Sequence, residues 1–228
     1  MKGQFLNKAF HTLTEAFQNC LKRFPTTVCF VLALTAYLAY LVSTEMDDEK
    51  KLTLVLGYYF SVGTLLSLTL HLWSEEIKNR IKEISVHIVM HVLLIADAVY
   101  LYSLSPERSL TEISIAHGAA ILALWLSVFF LSFTQEKNDI PSWNFASYTV
   151  GAFVTANVVG LIMSGGISLL VFSLHQLFDV DVSWKCYLYI LVVCSVLLPM
   201  LLFLGMLPKN KLKHNQEPQP SEFLNGTI

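Results

Sequence analysis

The segment Ile84–Leu104 reads ISVHIVMHVLLIADAVYLYSL, a run of 21 residues whose only imidazole and carboxyl groups belong to His87, His91 and Asp97. The hydrocarbon core of a bilayer is about 30 Å thick, and about 20 consecutive apolar residues in a helix cross it. Lipid offers no hydrogen-bond partner to a backbone N–H or C=O group, so a spanning segment must be a helix or part of a closed barrel. Because this run is continuously apolar and does not alternate, it predicts a transmembrane helix.

Five more stretches have comparable length and apolar content, and each is bounded by charge, proline or a polar cluster. They are Pro25–Ser43, Leu52–Trp73, Ile113–Phe133, Tyr148–Leu177 and Cys186–Leu207. Together with the first segment they predict an all-α, polytopic integral membrane protein with six transmembrane helices between residues 25 and 207. The connections are short, so consecutive helices should be antiparallel neighbours.

The amino-acid composition supports this class of protein and excludes others. Of the 228 residues, 54% are hydrophobic and 14% are charged, whereas soluble domains carry about 25% charged residues. This composition excludes a soluble enzyme and a disordered chain. The net charge of −2 offers no basic surface for nucleic acid. The expected surroundings are a lipid bilayer, with no nucleic-acid partner.

The two ends of the chain differ from the spans. In residues 1–24, apolar side chains recur every three or four positions with basic residues on the other side, which predicts an amphipathic helix. That helix either lies in the membrane surface or packs on the cytosolic end of the bundle. Residues 208–228 resemble a polar cytoplasmic tail or linker. Apolar residues return at Phe223, Leu224 and Ile228, which predicts that the chain is a fragment of a longer protein. Further transmembrane helices of that protein, or a second copy of the chain, are the expected partners.

Basic residues predict the orientation in the membrane. Eleven of the 15 Lys and Arg residues lie in residues 1–24, 74–83, 134–147 and 208–228, which the six spans place on one side. Lys and Arg concentrate in cytoplasmic segments. The sequence therefore predicts that the N- and C-termini are cytoplasmic.

Ionisable groups are costly inside a membrane, so each of them is a candidate for function. The third predicted span carries a candidate polar intramembrane site at His87, His91 and Asp97. Asp97 could be a proton or cation site, or a partner for a histidine of another span. It could equally be a carboxyl group that is hydrogen-bonded inside the bundle. His117, in the next span, could reach it.

Three histidines form a second candidate site. His87 and His91 are four residues apart and share a helix face, and His71 lies in the preceding antiparallel span at a similar depth. Three imidazoles so placed are candidate ligands for a metal ion or haem. Histidines near a membrane interface also serve as polar anchors, and on that interpretation no cofactor is expected. The sequence contains no catalytic signature, so a non-enzymatic function is expected.

The fifth predicted span is longer than the bilayer requires. At about 1.5 Å per residue its helix would be roughly 45 Å long, so it should tilt, bend or break, with Gly165 and Gly166 as the expected break. Pro199 should kink the sixth span. Small residues recur every fourth position of the fifth span, at Ala152, Ala156, Gly160, Ser164 and Ser168. This stripe favours close helix packing, although a broken helix could also form a transporter-like substrate site.

Three short stretches resemble a known family. They are LKRFP at Leu21–Pro25, LWSEE at Leu72–Glu76 and YTVG at Tyr148–Gly151. These boundary patterns are similar to those of bacterial polytopic membrane proteins that carry domain of unknown function 4153. The resemblance implies the N-terminal portion of such a protein, in the inner membrane of a bacterium. It supplies no established activity and no functional residues.

Two functions are consistent with these patterns as hypotheses. The first is transport or sensing through the polar site on the third span. The second is a membrane anchor or assembly module that packs through the small-residue stripe of the fifth span. A metal- or haem-binding protein is a further, weaker alternative.

Overall fold

The structure is a computed structural model that describes residues 20–44, 50–74, 80–104, 110–130 and 140–207. These residues form helices joined by short connections and contain no strand. The helices are α1 (Pro25–Ser43), α2 (Lys50–Ser74), α3 (Arg80–Ser103), α4 (Leu110–Phe130), α5 (Ile140–Phe178), α6 (Trp184–Val192) and α7 (Leu198–Met206), with a π-helical turn at Val193–Leu197 between the last two. The predicted all-α fold is confirmed. Most of the predicted amphipathic helix and the whole tail from residue 208 lie outside the described residues.

Five helical segments are long and apolar enough to cross a membrane, which is the composition of a helical membrane protein. They are Pro25–Ser43, Lys51–Ser74, Ile84–Ser103, Trp143–Phe178 and Trp184–Met206. The described apolar part of α4, Ser114–Val128, is shorter than the length of about 20 residues that a span needs. The fourth predicted span, Ile113–Phe133, is therefore present as a helix, and its crossing of the membrane stays a prediction.

Contacts between chain segments define two ends of the bundle. At one end, which we call the Arg23 end, the Arg23 guanidinium donates a hydrogen bond to the carbonyl of Leu207 (2.8 Å). At the other, the Ser43 end, Lys185 Nζ donates to the carbonyl of Ser43 (3.2 Å). At this same end Lys51 Nζ, at the start of α2, donates to the carbonyl of Leu104, just after α3. Successive helices therefore alternate in direction.

Helix α2 lies at the centre of the bundle, where it contacts α1, α3 and α4. In the apolar stretch of α2, 39% of the residues are buried inside the protein, compared with 6% in the apolar stretch of α3. Hydroxyl groups join α2 to α1, since Thr27 Oγ1 donates to Ser67 Oγ (3.2 Å) and Ser67 Oγ donates to Thr26 Oγ1 (2.8 Å). Helix α3, by contrast, presents most of its apolar surface outward, as expected of a helix that faces lipid.

Helix α5 is longer than predicted, and it is not interrupted. It contains 39 residues and is therefore about 58 Å long. The sequence predicts a break at Gly165 and Gly166, but the structure continues the helix through both. A glycine weakens a helix by only about 1 kcal/mol. Beyond the adjacent backbone of α5 itself, no atom lies within 4 Å of a Cβ built on either residue, so no packing contact there forces a bend.

Pro199 disturbs the last span without interrupting it. A proline has no N–H group, and its ring clashes with the carbonyl one turn earlier. In the structure, the turn just before Pro199 widens into the π-helical Val193–Leu197 turn, and the Leu198 N–H bonds to the carbonyl of Val193 instead. The irregularity predicted at Pro199 is present as this wider turn, and the kink itself stays a prediction.

The small-residue stripe of α5 faces this widened turn. Ala152, Ala156, Gly160 and Ser164 are buried, and Ser168 is half-buried. A Cβ built on Gly160 would lie 2.4 Å from Pro199 Cγ and 2.5 Å from the Cys194 carbonyl oxygen. Only a glycine allows the two helices to approach this closely.

Gly160→Ala should therefore destabilise the protein by about 1–3 kcal/mol, since the added methyl group overpacks the helix contact. The matched change, Gly165→Ala in the same helix, should stabilise it by up to about 1 kcal/mol through helix propensity. Unfolding by sodium dodecyl sulfate, followed by tryptophan fluorescence in detergent micelles, measures both. Equal effects of the two substitutions would contradict the packing described here.

Candidate functional site

Three polar side chains from three helices meet about two turns inside the Ser43 end. Tyr58 on α2 donates its hydroxyl to Asp97 Oδ2 on α3 (2.8 Å). His117 Nε2 on α4 lies 3.4 Å from the same oxygen. The Tyr58 and His117 rings also touch edge to face, with centroids 4.6 Å apart. We call Tyr58, Asp97 and His117 the polar triad.

The polar triad rests directly on an apolar cluster, because each member continues a buried helix stripe. On α3, Asp97 follows Met90 and Leu94 at helical spacing; on α2, Tyr58 precedes Val62 at the same spacing. On α4, Ile121 lies one turn after His117 and packs against the same cluster. The hydrophobic contacts below the polar triad therefore fix the rotation of all three helices and aim the polar groups at one another.

The polar triad is only partly shielded, with exposed side-chain fractions of 42% for Asp97 and 19% for His117. A carboxyl group and an imidazole can each bind a proton, and here they lie in contact with each other. The arrangement can therefore hold or release a proton while its partners stay in place.

The predicted site residues of α3 separate into two places. Asp97 joins the polar triad, whereas His87 and His91 lie six or more residues towards the Arg23 end. His91 Nδ1 instead approaches the carbonyl of His87, one turn earlier (2.8 Å). The contact between Asp97 and His117, which the sequence allowed, is present. Sequence reasoning missed Tyr58.

The three predicted metal-binding histidines are neighbours in space. The ring centroids of His71 and His87 are 5.9 Å apart, and those of His87 and His91 are 6.2 Å apart. Phe24 packs against His71 and Phe30 against His91. Within the five described segments, no group of three or more His, Cys, Asp or Glu side chains is placed to hold a metal ion. The three histidines form a row of ring contacts, edge to face between His71 and His87 and parallel between His87 and His91, which we call the histidine stack.

No protein-family model, curated protein or solved structure matches the chain. The resemblance to proteins with domain of unknown function 4153 consequently stays a prediction. The fold and the polar triad together define a helical protein that has five segments long and apolar enough to cross a membrane and a polar site between α2, α3 and α4. Its function has to be argued from that site.

Tyr58→Phe should weaken the bundle, because it removes the hydroxyl that Asp97 accepts from. Hydrogen bonds between membrane helices contribute about 1 kcal/mol, so the loss should be of that size. The neighbouring substitution Tyr59→Phe, on the same helix, is the matched control and should leave stability within about 0.5 kcal/mol of the parent. Unfolding in detergent measures the difference, and equal stabilities of the two variants would count against the hydrogen bond.

Proposed function

We propose that this chain is a multi-pass protein of the bacterial inner membrane that binds and releases a proton at Asp97 and His117 and uses this change of charge for transport or sensing. The observation that supports the proposal is the meeting of Tyr58, Asp97 and His117 from three helices. It assigns the chain no catalytic reaction.

A proton site accounts for the cost of the charged groups. A carboxylate inside a membrane costs several kcal/mol unless it is paired, so such groups mark ion or proton pathways more often than they stabilise a fold. The Asp97 side chain is 42% exposed at the surface of the helix bundle, so the pair is not enclosed by protein. Imidazole is the side chain whose ordinary charge change falls between pH 5 and 8. The polar triad thus combines a carboxyl group that protein does not seal with an imidazole that can change charge.

The location of the polar triad supports a role at one membrane face. It lies near the Ser43 end, where Lys50, Lys51 and Lys185 are the described basic residues. The larger number of Lys and Arg residues in the sequence is on the Arg23 side, which we propose is cytoplasmic. On that orientation the polar triad lies nearer to the periplasmic face, and we propose that it responds to the pH there.

The assembly-module alternative draws less support from the stripe on which it rests. Ala152, Ala156 and Gly160 already pack against the last span of the same chain. They are therefore not offered to the further helices or the second copy that this alternative needs. Binding of a metal or haem at the histidine stack stays a separate prediction, which metal analysis and the visible absorbance of the purified protein would test.

Infrared difference spectra recorded during stepwise acidification test the proton site in purified protein. The parent should gain the carbonyl band of a protonated carboxyl group, and Asp97→Asn should lack the part of that band that comes from Asp97. Asp181→Asn, which changes an exposed acid in the connection before α6, is the control and should retain it. Spectra of Asp97→Asn that match the parent would refute proton binding at Asp97.

Proteoliposomes then distinguish transport from sensing. A pH-sensitive dye trapped inside the vesicles reports proton entry under an imposed pH gradient. If the protein transports protons, the rate of proton entry should be at least tenfold lower in Asp97→Asn than in the parent. This corresponds to an activation free energy that is higher by about 1.4 kcal/mol. Proton binding in the infrared spectra without entry would assign the polar triad to sensing.

A further inference from the structure

An open cavity of about 750 Å³ lies between α2, α3 and α4, on the Arg23 side of the polar triad. Its floor is α2, with Leu66 and Trp73 at its two ends. One wall is α3, beginning at Ser85, and the other is α4, where Ala120 and Ala123 supply small side chains. The cavity is separate from the polar triad, so a ligand bound in the cavity is independent of the proposed function.

The dimensions of the cavity match part of one bilayer leaflet. Leu66 and Trp73 are seven residues apart on α2, which corresponds to about 10 Å along the helix axis. Trp73 and Ser85 lie within two residues of the ends of their spans, Lys51–Ser74 and Ile84–Ser103. The cavity therefore starts at the membrane interface of the Arg23 end and extends inward through most of one leaflet, since the hydrocarbon core is about 30 Å thick.

The chemistry of the cavity is that of a hydrocarbon-binding site. Its lining is apolar apart from the hydroxyl groups of Thr69, Ser85 and Ser127. Two of these already have protein partners, because Ser127 Oγ donates to the Leu124 carbonyl (2.6 Å) and Thr69 Oγ1 to the Leu65 carbonyl (2.9 Å). Such a surface offers few hydrogen bonds to water, and its volume is in the range of small-molecule sites, about 300–1,000 Å³.

A positive charge stands at the mouth of the cavity. Lys82 is exposed and lies three residues before Ser85 and four before Val86, both of which line the cavity. Residues at this spacing share one face of a helix, so Lys82 is one turn outside the cavity entrance. A basic residue at the interface attracts anionic lipid headgroups, and Trp73 beside it is a residue typical of that depth.

We propose that an acyl chain of an anionic phospholipid occupies this cavity, with the lipid phosphate at Lys82. The apolar walls of α3 and α4 hold the chain, and Lys82 selects the headgroup. The bound lipid fills the space between two helices that contact each other through Asp97 and His117 near the Ser43 end. It is a structural ligand of the bundle, taken from the leaflet at the Arg23 end.

Quenching of Trp73 fluorescence by brominated lipid tests the proposal. Trp73 is retained and the other three tryptophans, Trp125, Trp143 and Trp184, are replaced by phenylalanine. The protein is reconstituted in phosphatidylcholine vesicles that contain a small fraction of lipid with brominated chains, either phosphatidylglycerol or phosphatidylcholine. We expect phosphatidylglycerol to occupy the site about fivefold more than its bulk fraction, which is the effect of one basic residue near the interface.

Two variants locate the binding. Ala123→Phe fills the cavity and should abolish the excess quenching, whereas Ala119→Phe, one turn earlier on α4 and outside the cavity lining, should leave it unchanged. Lys82→Gln changes an exposed residue, leaves the packing intact and should remove the preference for phosphatidylglycerol.

Three results would overturn the proposal. The first is equal quenching by the two brominated lipids in the parent, which would mean that the headgroup is not selected. The second is excess quenching that persists in Ala123→Phe and is lost only in Ala119→Phe. The third is a dimer in detergent solution that Ala123→Phe dissociates, because a second copy of the chain would then fill the cavity.

Discussion

A polar group inside an apolar bilayer has to find its partner within the protein, and this constraint organises the whole structure. The hydroxyl groups of the spans meet it locally: Thr35, Thr64 and Thr69 each donate to the carbonyl four residues earlier in their own helix. As a carboxylate, Asp97 cannot do so, because a carboxylate only accepts hydrogen bonds and the N–H groups within its helix are already bonded. Its partners come from α2 and α4, so one carboxyl group draws three helices together.

The same constraint links the polar triad to the cavity. Helices α3 and α4 contact each other through Asp97 and His117 near the Ser43 end, whereas further along they form opposite walls of the cavity above α2. Small residues on α4 and the outward-facing surface of α3 leave this space unfilled by protein. A proton site near one face and a lipid site at the other would then occupy one three-helix unit without sharing a residue.

The sequence predicts much of the fold because the spans are decided by length and composition. The stripe from Ala152 to Ser164 is visible for a similar reason, since its four-residue period is local. The contact between Tyr58 and Asp97 joins residues 39 positions apart, and several tyrosines could have supplied the hydroxyl. The continuity of α5 through Gly165 depends on the open space around it, and the π-helical turn before Pro199 depends on how α5 packs there. Neither condition is visible in a sequence.

The central claim is that the helices cross a membrane in alternating directions, and accessibility from each face tests it most directly. Single cysteines at Lys22, Ser43, Lys82 and Ser103, all exposed, are introduced into a chain whose four native cysteines are replaced by alanine. A membrane-impermeant maleimide is applied to intact cells and to inverted vesicles. The account predicts that positions 22 and 82 react from one face and positions 43 and 103 only from the other. Reaction of positions 22 and 43 from the same face, or of 82 and 103 from the same face, would contradict it.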